Sequence, residues 1–469
     1  MNQHQDAFNY FSATFDGTIV HHGQAGYDDI REVWNAAGRD VTPALVVRPA
    51  DAHAVAHAVR FAAGIGLPLA VRSGGHSPAA FGTVQDGLVI DLTALKAINI
   101  DPDTRRVRVE PGLTWGEVAA ALHEHGLAIT AGDVATVGVG GLTQGGGIGW
   151  FVRRYGLAID RLRSAQLVTA TGDLLTVSDT EHPEVFWALR GAGANLGVIT
   201  ALEFESHPAG MVYGGLLAFD ASDPAEGARL MTTFARLAHE APEALTTQGL
   251  FMAAPPAPFV PPHLVGKTLF AVASVYSGDL AWGDAVLAPF RAMGTVGFDL
   301  TGPMPYPAIF QLTADAAQRG FRHAIRSGFL NALDDHAAQQ LAAEVQLMQP
   351  GQIVQLRPLG GEMARVPNHA TAFSHRTARF LLMVSQAVPE AGLDALAWSI
   401  TNRMFAPFEA QVTGLYGNFA SGQDIDPART AFTSAHRERI ARVKTQLDPH
   451  NVFARNVNIR PQVAEPVTA

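Results

Sequence analysis

The chain has 469 residues, 48% hydrophobic and 16% charged, a globular mix long enough for two or three domains with ample core. Its formal net charge is −10 with no block of lysine or arginine, which argues against nucleic acid and anionic membrane surfaces as partners, because both need clustered positive charge. It has no cysteine, so disulfides, thiolate nucleophiles, cysteine-ligated zinc and iron–sulfur clusters are excluded.

Residues 1–16 are polar and aromatic, with neither the basic nor the apolar region of a leader, and no long uninterrupted apolar run follows. The expectation is a soluble, cytoplasmic protein. Asp51 is placed to cap a helix whose Val55, Ala58, Val59 and Ala62 share one face and which Gly64 and Gly66 end. A strand over 67–71 then runs into Arg72-Ser73-Gly74-Gly75-His76-Ser77. Two adjacent glycines let backbone N–H groups point into one concavity, which suits a phosphate, with the imidazole beside whatever carries it.

Short strands are expected over 88–92, 97–100 and 105–110, the last two joined by Asp101-Pro102-Asp103-Thr104. Thr114-Trp115-Gly116-Glu117 is a capping box opening a helix to about His125, and 127–130 is strand-like. A second glycine-rich stretch follows, with Gly138, Gly140, Gly141, Thr143, Gly145, Gly146, Gly147 and Gly149. It does not clearly follow a strand and open a helix within a βαβ unit, so alone it is a weak nucleotide signal. Together with the histidine loop it points to a large diphosphate cofactor held from two sides.

Runs over 165–177 flank the hairpin signal Thr171-Gly172-Asp173. A helix over 184–189, a third glycine-dense loop over 191–197 and a strand over 198–205 complete an α+β unit. After His207-Pro208 the texture changes to Ala/Leu-rich helices over 222–247 and 333–348. A proline-dense loop over 255–262 and strands over 268–276 and 351–356 belong to the same second α+β domain. The segment 451–459 is apolar enough to pack back on something. The expected organisation is therefore 1–207, 208–415 and a returning segment 416–469. His53 and His57 share a helix face, but no HExxH pattern or third ligand accompanies them, so no metal is expected. No GxSxG elbow, Walker lysine loop or EF-hand loop occurs.

Several further segments occur in a telling order: Trp34-Asn35, Val46-Val47-Arg48-Pro49, Val89-Ile90-Asp91-Leu92, Arg154-Tyr155-Gly156-Leu157-Ala158-Ile159-Asp160 and Phe186-Trp187-Ala188-Leu189-Arg190-Gly191-Ala192-Gly193. Asn195-Leu196-Gly197-Val198-Ile199-Thr200, Arg365-Val366-Pro367, Ala370-Thr371-Ala372-Phe373, His375-Arg376 and Asp448-Pro449-His450-Asn451-Val452-Phe453 continue the series. With the two glycine loops, this order resembles the berberine-bridge-enzyme-like group of the vanillyl-alcohol oxidase superfamily over almost the whole chain, most weakly over 210–350.

The resemblance implies a two-domain α+β fold with a split FAD domain and a substrate domain of antiparallel sheet plus helices. It implies FAD bonded through its 8α-methyl to His76, with the glycine loops around the pyrophosphate. Carried over residue by residue, the cofactor positions are Arg72, Ser73, Gly74, Gly75, His76, Ser77, Val137, Gly138, Gly140, Gly141, Thr143, Gly145, Gly146, Gly147 and Gly149. Tyr155, Gly156, Asp160, Gly193, Asn195, Gly197, Val198, Ile199 and Asn418 complete the set. Many members add a cysteinyl tether in Cys-Pro-Thr-Val-Gly; here Val134-Ala135-Thr136-Val137-Gly138 has valine at that place, so a single histidyl link is expected. Val137 matches a position that admits dioxygen, which favours an oxidase over a dehydrogenase.

Tyr416-Gly417-Asn418-Phe419 is similar to the family's Tyr-x-Asn-Tyr, with Phe419 replacing the second tyrosine. Tyr416 is thus either the catalytic base or a packed aromatic. Gln355 and Arg357 share one face of a strand that matches the flavin-facing strand. Arg357 is expected to hold an anionic substrate group or the negative charge of reduced flavin. Glu362 is either a substrate contact or solvated. The implied activity is oxidation of a CH–OH or CH–NH group of a small molecule by hydride transfer to flavin N5, with O₂ giving H₂O₂. A flavin dehydrogenase with another acceptor and a flavin-binding protein without turnover are the alternatives. Sugar, aromatic alcohol, amine and polyketide-type substrates stay open, as do monomer and homodimer.

Overall fold

The computed structural model describes residues 2–314, 318–346 and 348–462. Local signals set the early elements. The Asp51 carboxylate accepts the Ala54 N–H, helix Ala52–Ile65 follows, and Gly66 ends it at φ 69. Thr114 and Glu117 close a reciprocal capping box on helix Trp115–His123. These helices and strands build two sheets. The first has four strands in the order Gly17–His21, Leu45–Pro49, Leu88–Asp91, Leu69–Arg72, the last three mutually parallel. The second is antiparallel, ordered Ile98–Asp101, Arg106–Val109, Val198–Glu205, Leu162–Val168, Leu174–Ser178.

Beyond His207 a nine-stranded antiparallel sheet takes over, its core run being Met211–Asp220, Thr268–Tyr276, Leu245–Ala253, Gln352–Pro358, Phe380–Val388 and Arg322–Leu330. Helices Pro224–Glu240, Asp335–Glu344 and Asp394–Phe405 pack on this second half, the first two through Leu230, Phe234 and Leu341 against Phe251, Phe270 and Leu356. The helix expected over 222–247 stops at Glu240. Pro242 cannot continue it, and the β-branched Thr246 and Thr247 enter a strand instead. The opposite sheet face, carrying Leu216, Leu250 and Val275, lies on Trp150 and Phe151, just after the second glycine stretch, and on Tyr306 of the second half itself.

The segment 451–459 returns to the N-terminal half. Phe453 enters the core of the four-stranded sheet, and Val457 and Ile459 enter that of the five-stranded one. Lys444 and Asp448, both fully buried, form an ion pair at 3.2 Å, and Asp448 accepts the N–H groups of Val452 and Phe453. No helix among the described residues is long and apolar enough to cross a membrane.

Candidate active site

The histidine loop and the second glycine stretch meet backbone to backbone. A Cβ on Gly74 would overlap the amide of Gly138, and one on Gly138 would overlap Gly74 N and Ser73 Oγ, so neither position tolerates a side chain. Ser73 Oγ donates to Pro111 O at 2.5 Å, and Gly140 rests on Pro111 and Ser73. The stretch is not all loop: Val139–Gln144 is a short helix, so Gly140 and Gly141 lie in its first turn, where N–H groups have no intrahelical acceptor. Gly141 is exposed with open space beside it, and the Oε1 of Gln144, below it, is buried without a partner. Side-chain-free backbone and first-turn amides with no intrahelical acceptor fit a diphosphate cofactor.

His76 lies at the rim of this cradle. Its Nε2 is 2.9 Å from Thr136 Oγ1, and Trp34 stacks against its ring at 5.5 Å and 19°. Trp34 in turn stacks on His323 at 3.9 Å. Burial, with the nearby Arg319 and His323, pushes the His76 pKa down to about 3, so the imidazole is neutral.

On the sheet above, Gln355 and Arg357 do share a face, and they close a ring of four buried side chains. Arg357 Nε donates to Gln355 Oε1 at 2.8 Å, Gln355 Nε2 to Gln248 Oε1 at 2.5 Å, and Gln248 Nε2 to Asp133 Oδ2 at 3.1 Å. The Arg357 guanidinium then pairs with the same Asp133 oxygen at 2.8 Å. Phe419 lies under that guanidinium at 5.1 Å. Leu250 and Met383 lie directly opposite Gln355 on either side and remain partly exposed.

Tyr416 is 3% exposed. Its hydroxyl oxygen accepts N–H groups from Gly147 at 3.1 Å, Ile148 at 3.3 Å and Asn418 Nδ2 at 2.9 Å. Burial raises its pKa above 10.0, against the lowering effect of these donors and Arg357. Asn418 also donates to Leu142 O and faces Gly145, so the Tyr416-Gly417-Asn418 turn clamps the glycine stretch, whose Gly146 and Gly147 run at φ 126 and 80.

Other expected site residues are engaged with the protein itself. Arg72 is buried, pairs with Asp91 at 2.8 Å and donates to Ile30 and Glu32 carbonyls, shaping the histidine loop from behind. Gly75 turns at φ 73, and Ser77 O accepts Ala80 N. Thr143 Oγ1 donates within its own helix to Val139 O, and Val137 packs half-buried on the core. Gly149 abuts Ala131 O, Gly193 abuts Gln144, and Gly197 abuts Val168 O. Val198 and Ile199 pair with Val168 and Leu167. Tyr155 stacks on His207 at 3.7 Å, Gly156 O accepts from Thr130, and Asp160 pairs with Arg376 at 2.7 Å. Asn195 binds Val457 O and Ile459 N, which ties down the returning segment. Glu362 lies apart, in an ion-pair chain with Arg365 and Glu243. Asp133, Gln248, Thr136, Trp34 and His323 were not among the expected site residues. Only Trp34 and Thr136 fell within recognised motifs, and no local spacing signals the others.

Fold and site together place two interlocked glycine loops against a second, sheet-based half. A family model described as an FAD binding domain matches residues 43–178. (R)-6-hydroxynicotine oxidase of Paenarthrobacter nicotinovorans is 40% identical over 193 residues, which is 41% of this chain and 42% of that enzyme. Thus the match spans less than half of that relative's length. An FAD-linked oxidoreductase of Dictyostelium discoideum is 27% identical over 97% of this chain and 96% of its own. The crystal structure of 6-hydroxy-D-nicotine oxidase from Arthrobacter nicotinovorans superposes with a TM-score of 0.84 at 28% identity, covering 96% of this chain and 99% of that one. Glucooligosaccharide oxidase from Acremonium strictum shares the fold, with a TM-score of 0.86 at 20% identity over 97% and 99% of the two chains. The chain is thus similar over almost its whole length to FAD-linked oxidoreductases, and residues 43–178 match an FAD binding domain.

Proposed function

We propose that this chain is an oxidase that carries FAD on His76 and oxidises a CH–OH or CH–NH group of a neutral small molecule, with O₂ as acceptor and H₂O₂ as product. Bound FAD supplies the hydride acceptor and the route of electrons to O₂. The observation that carries the reading is the neutral His76 imidazole at the mouth of a cradle made by two interlocked glycine loops.

The protein's own part is holding, orienting and moving a proton. First-turn amides at Gly140 and Gly141 receive the pyrophosphate. Gln355 and Arg357, locked with Gln248 and Asp133, orient the substrate. Because Asp133 already neutralises Arg357, the ring favours a hydrogen-bonding neutral substrate over an anion. Tyr416 accepts the substrate proton, and the three N–H groups on its oxygen lower the cost of the phenolate. Phe329, Phe373 and Phe419 around its ring keep water away. Residues 1–207 and 416–469 form the cofactor unit in this reading, and 208–415 the substrate unit.

The test is acid precipitation of wild type and His76→Ala, followed by an H₂O₂-coupled screen of alcohols and amines. Flavin that stays with wild type and leaves the variant, together with O₂ consumption on a neutral substrate, is the expected result. Flavin lost from both proteins sinks the covalent link. Substrate-dependent bleaching of the flavin without O₂ uptake converts the assignment to a dehydrogenase.

A further inference from the structure

We infer that Thr136 is a positioning residue for cofactor attachment: its hydroxyl engages Nε2 of His76 and leaves Nδ1 as the nitrogen that bonds the flavin. The inference rests on the covalent reading above. A neutral imidazole has one N–H and one lone pair, and the hydrogen bond made by one nitrogen decides which tautomer presents the other. Thr136 Oγ1 is 2.9 Å from Nε2, and Trp34 covers one ring face. Neither contact is free to drift. Trp34 N donates to Gly75 O at 3.0 Å, one residue before His76. Gly74 packs so closely on Gly138 and on the Thr136 carbonyl that the two loops share one register. Thr136 is exposed and His76 half-buried, so the pair is not sealed in the core.

A hydroxyl is suited to this place because it accepts before the reaction and donates after it. Before attachment, Oγ1 accepts the Nε2 proton and Nδ1 carries the lone pair. During attachment a C–H bond of the flavin 8α-methyl breaks and an Nδ1–C8α bond forms. The two electrons released pass through the flavin to O₂. The methyl proton and the Nε2 proton complete H₂O₂, so imidazole, methyl and O₂ give the linked pair and H₂O₂. Afterwards Nε2 is bare and the Thr136 hydroxyl donates to it. Valine has the same shape as threonine but can do neither.

Wild type, Thr136→Val and Thr136→Ser are purified at successive times after induction. The acid-stable fraction of flavin is measured in each, and the His76 peptide is examined by NMR for the attached nitrogen. Wild type and Thr136→Ser are expected to link through Nδ1 at similar rates. Thr136→Val is expected to bind FAD yet link at least tenfold more slowly, or in part through Nε2. A Thr136→Val protein that links through Nδ1 as fast as wild type overturns the inference and leaves the covalent reading intact. Attachment through Nε2 in wild type also overturns it, without recourse to any variant. Flavin that leaves wild type in acid overturns both.

Discussion

Changing Tyr416 to Phe deletes one oxygen and keeps the ring, so its consequences follow from what that oxygen holds. It accepts N–H groups from Gly147, Ile148 and Asn418 at 3.1, 3.3 and 2.9 Å. Asn418 keeps a second acceptor in Leu142 O at 3.0 Å, so its loss is partial. The two backbone donors become buried and unsatisfied, at about 1–3 kcal/mol each, or ~2–6 kcal/mol in sum. The cost falls on the glycine stretch rather than on the whole chain, so local opening is the place to read it. Taking ~2–3 kcal/mol as the local share, amide exchange at Gly147 and Ile148 in the FAD-loaded protein speeds up about 30- to 150-fold. Turnover gives an independent readout. The proton-accepting form of Tyr416 is the deprotonated one, and burial raises its pKa above 10.0. Wild-type turnover therefore climbs with pH and does not level off below 10.0, and the climb disappears in Tyr416→Phe. Unchanged protection at both amides refutes the anchoring argument, and a neutral-pH plateau shared by both proteins refutes the base.

Three other perturbations follow from the geometry. Gly138→Ala drives a methyl into Gly74 N and Ser73 Oγ; the loops must part, at about 1–3 kcal/mol or more, and the flavin-to-protein absorbance ratio falls well below that of wild type. Asp133→Asn leaves Arg357 uncompensated, with a loss of about 3–5 kcal/mol in denaturant titration; added acetate or chloride restores part of it, and indifference to anions refutes the charge-balance argument. His207, 5% exposed against Tyr155, is held by burial and then by Arg161, Arg105 and Arg154 at a folded pKa of about 3, against an ordinary 6.5. Between these values the unfolded chain binds the extra proton, so the stability contributed is full above 6.5 and is lost as pH falls toward 3. The slope is up to about 1.4 kcal/mol per pH unit, and His207→Gln should flatten it; parallel stability–pH curves for the two proteins count against it.

What was legible in the chain was what neighbours in sequence decide. Asp51, the Thr114–Glu117 box and Gly66 act where they stand, because caps are satisfied within a turn. Period-two alternation was enough to put Gln355 and Arg357 on one face. Their closure into a ring was not legible, since Asp133 and Gln248 come from segments more than a hundred residues upstream, joined only by the sheet and the glycine stretch. The strands Met211–Asp220, Arg322–Leu330 and Phe380–Val388 escaped reading for a related reason. Both of their faces are largely covered, so the apolar–polar alternation that marks a half-buried strand is blurred. Resemblance named Arg72, Asp160 and Asn195 as cofactor positions, yet their polar atoms are held by Asp91, Arg376 and the returning segment, bonds that depend on distant chain.

The docking of 451–459 sets an order of events during synthesis. Phe453, Val457 and Ile459 supply core to sheets whose strands lie between Gly17 and Glu205, and Asn195 waits for Val457 and Ile459. While a ribosome is still making the nine-stranded sheet, the first half stands with part of its core open, and Asn195 keeps only its local bond to Ala192 O. Contacts of such long sequence separation form late and slowly. A nascent chain stalled inside the second half therefore exposes apolar core that residues 451–459 later cover, which makes it a ready client for chaperones.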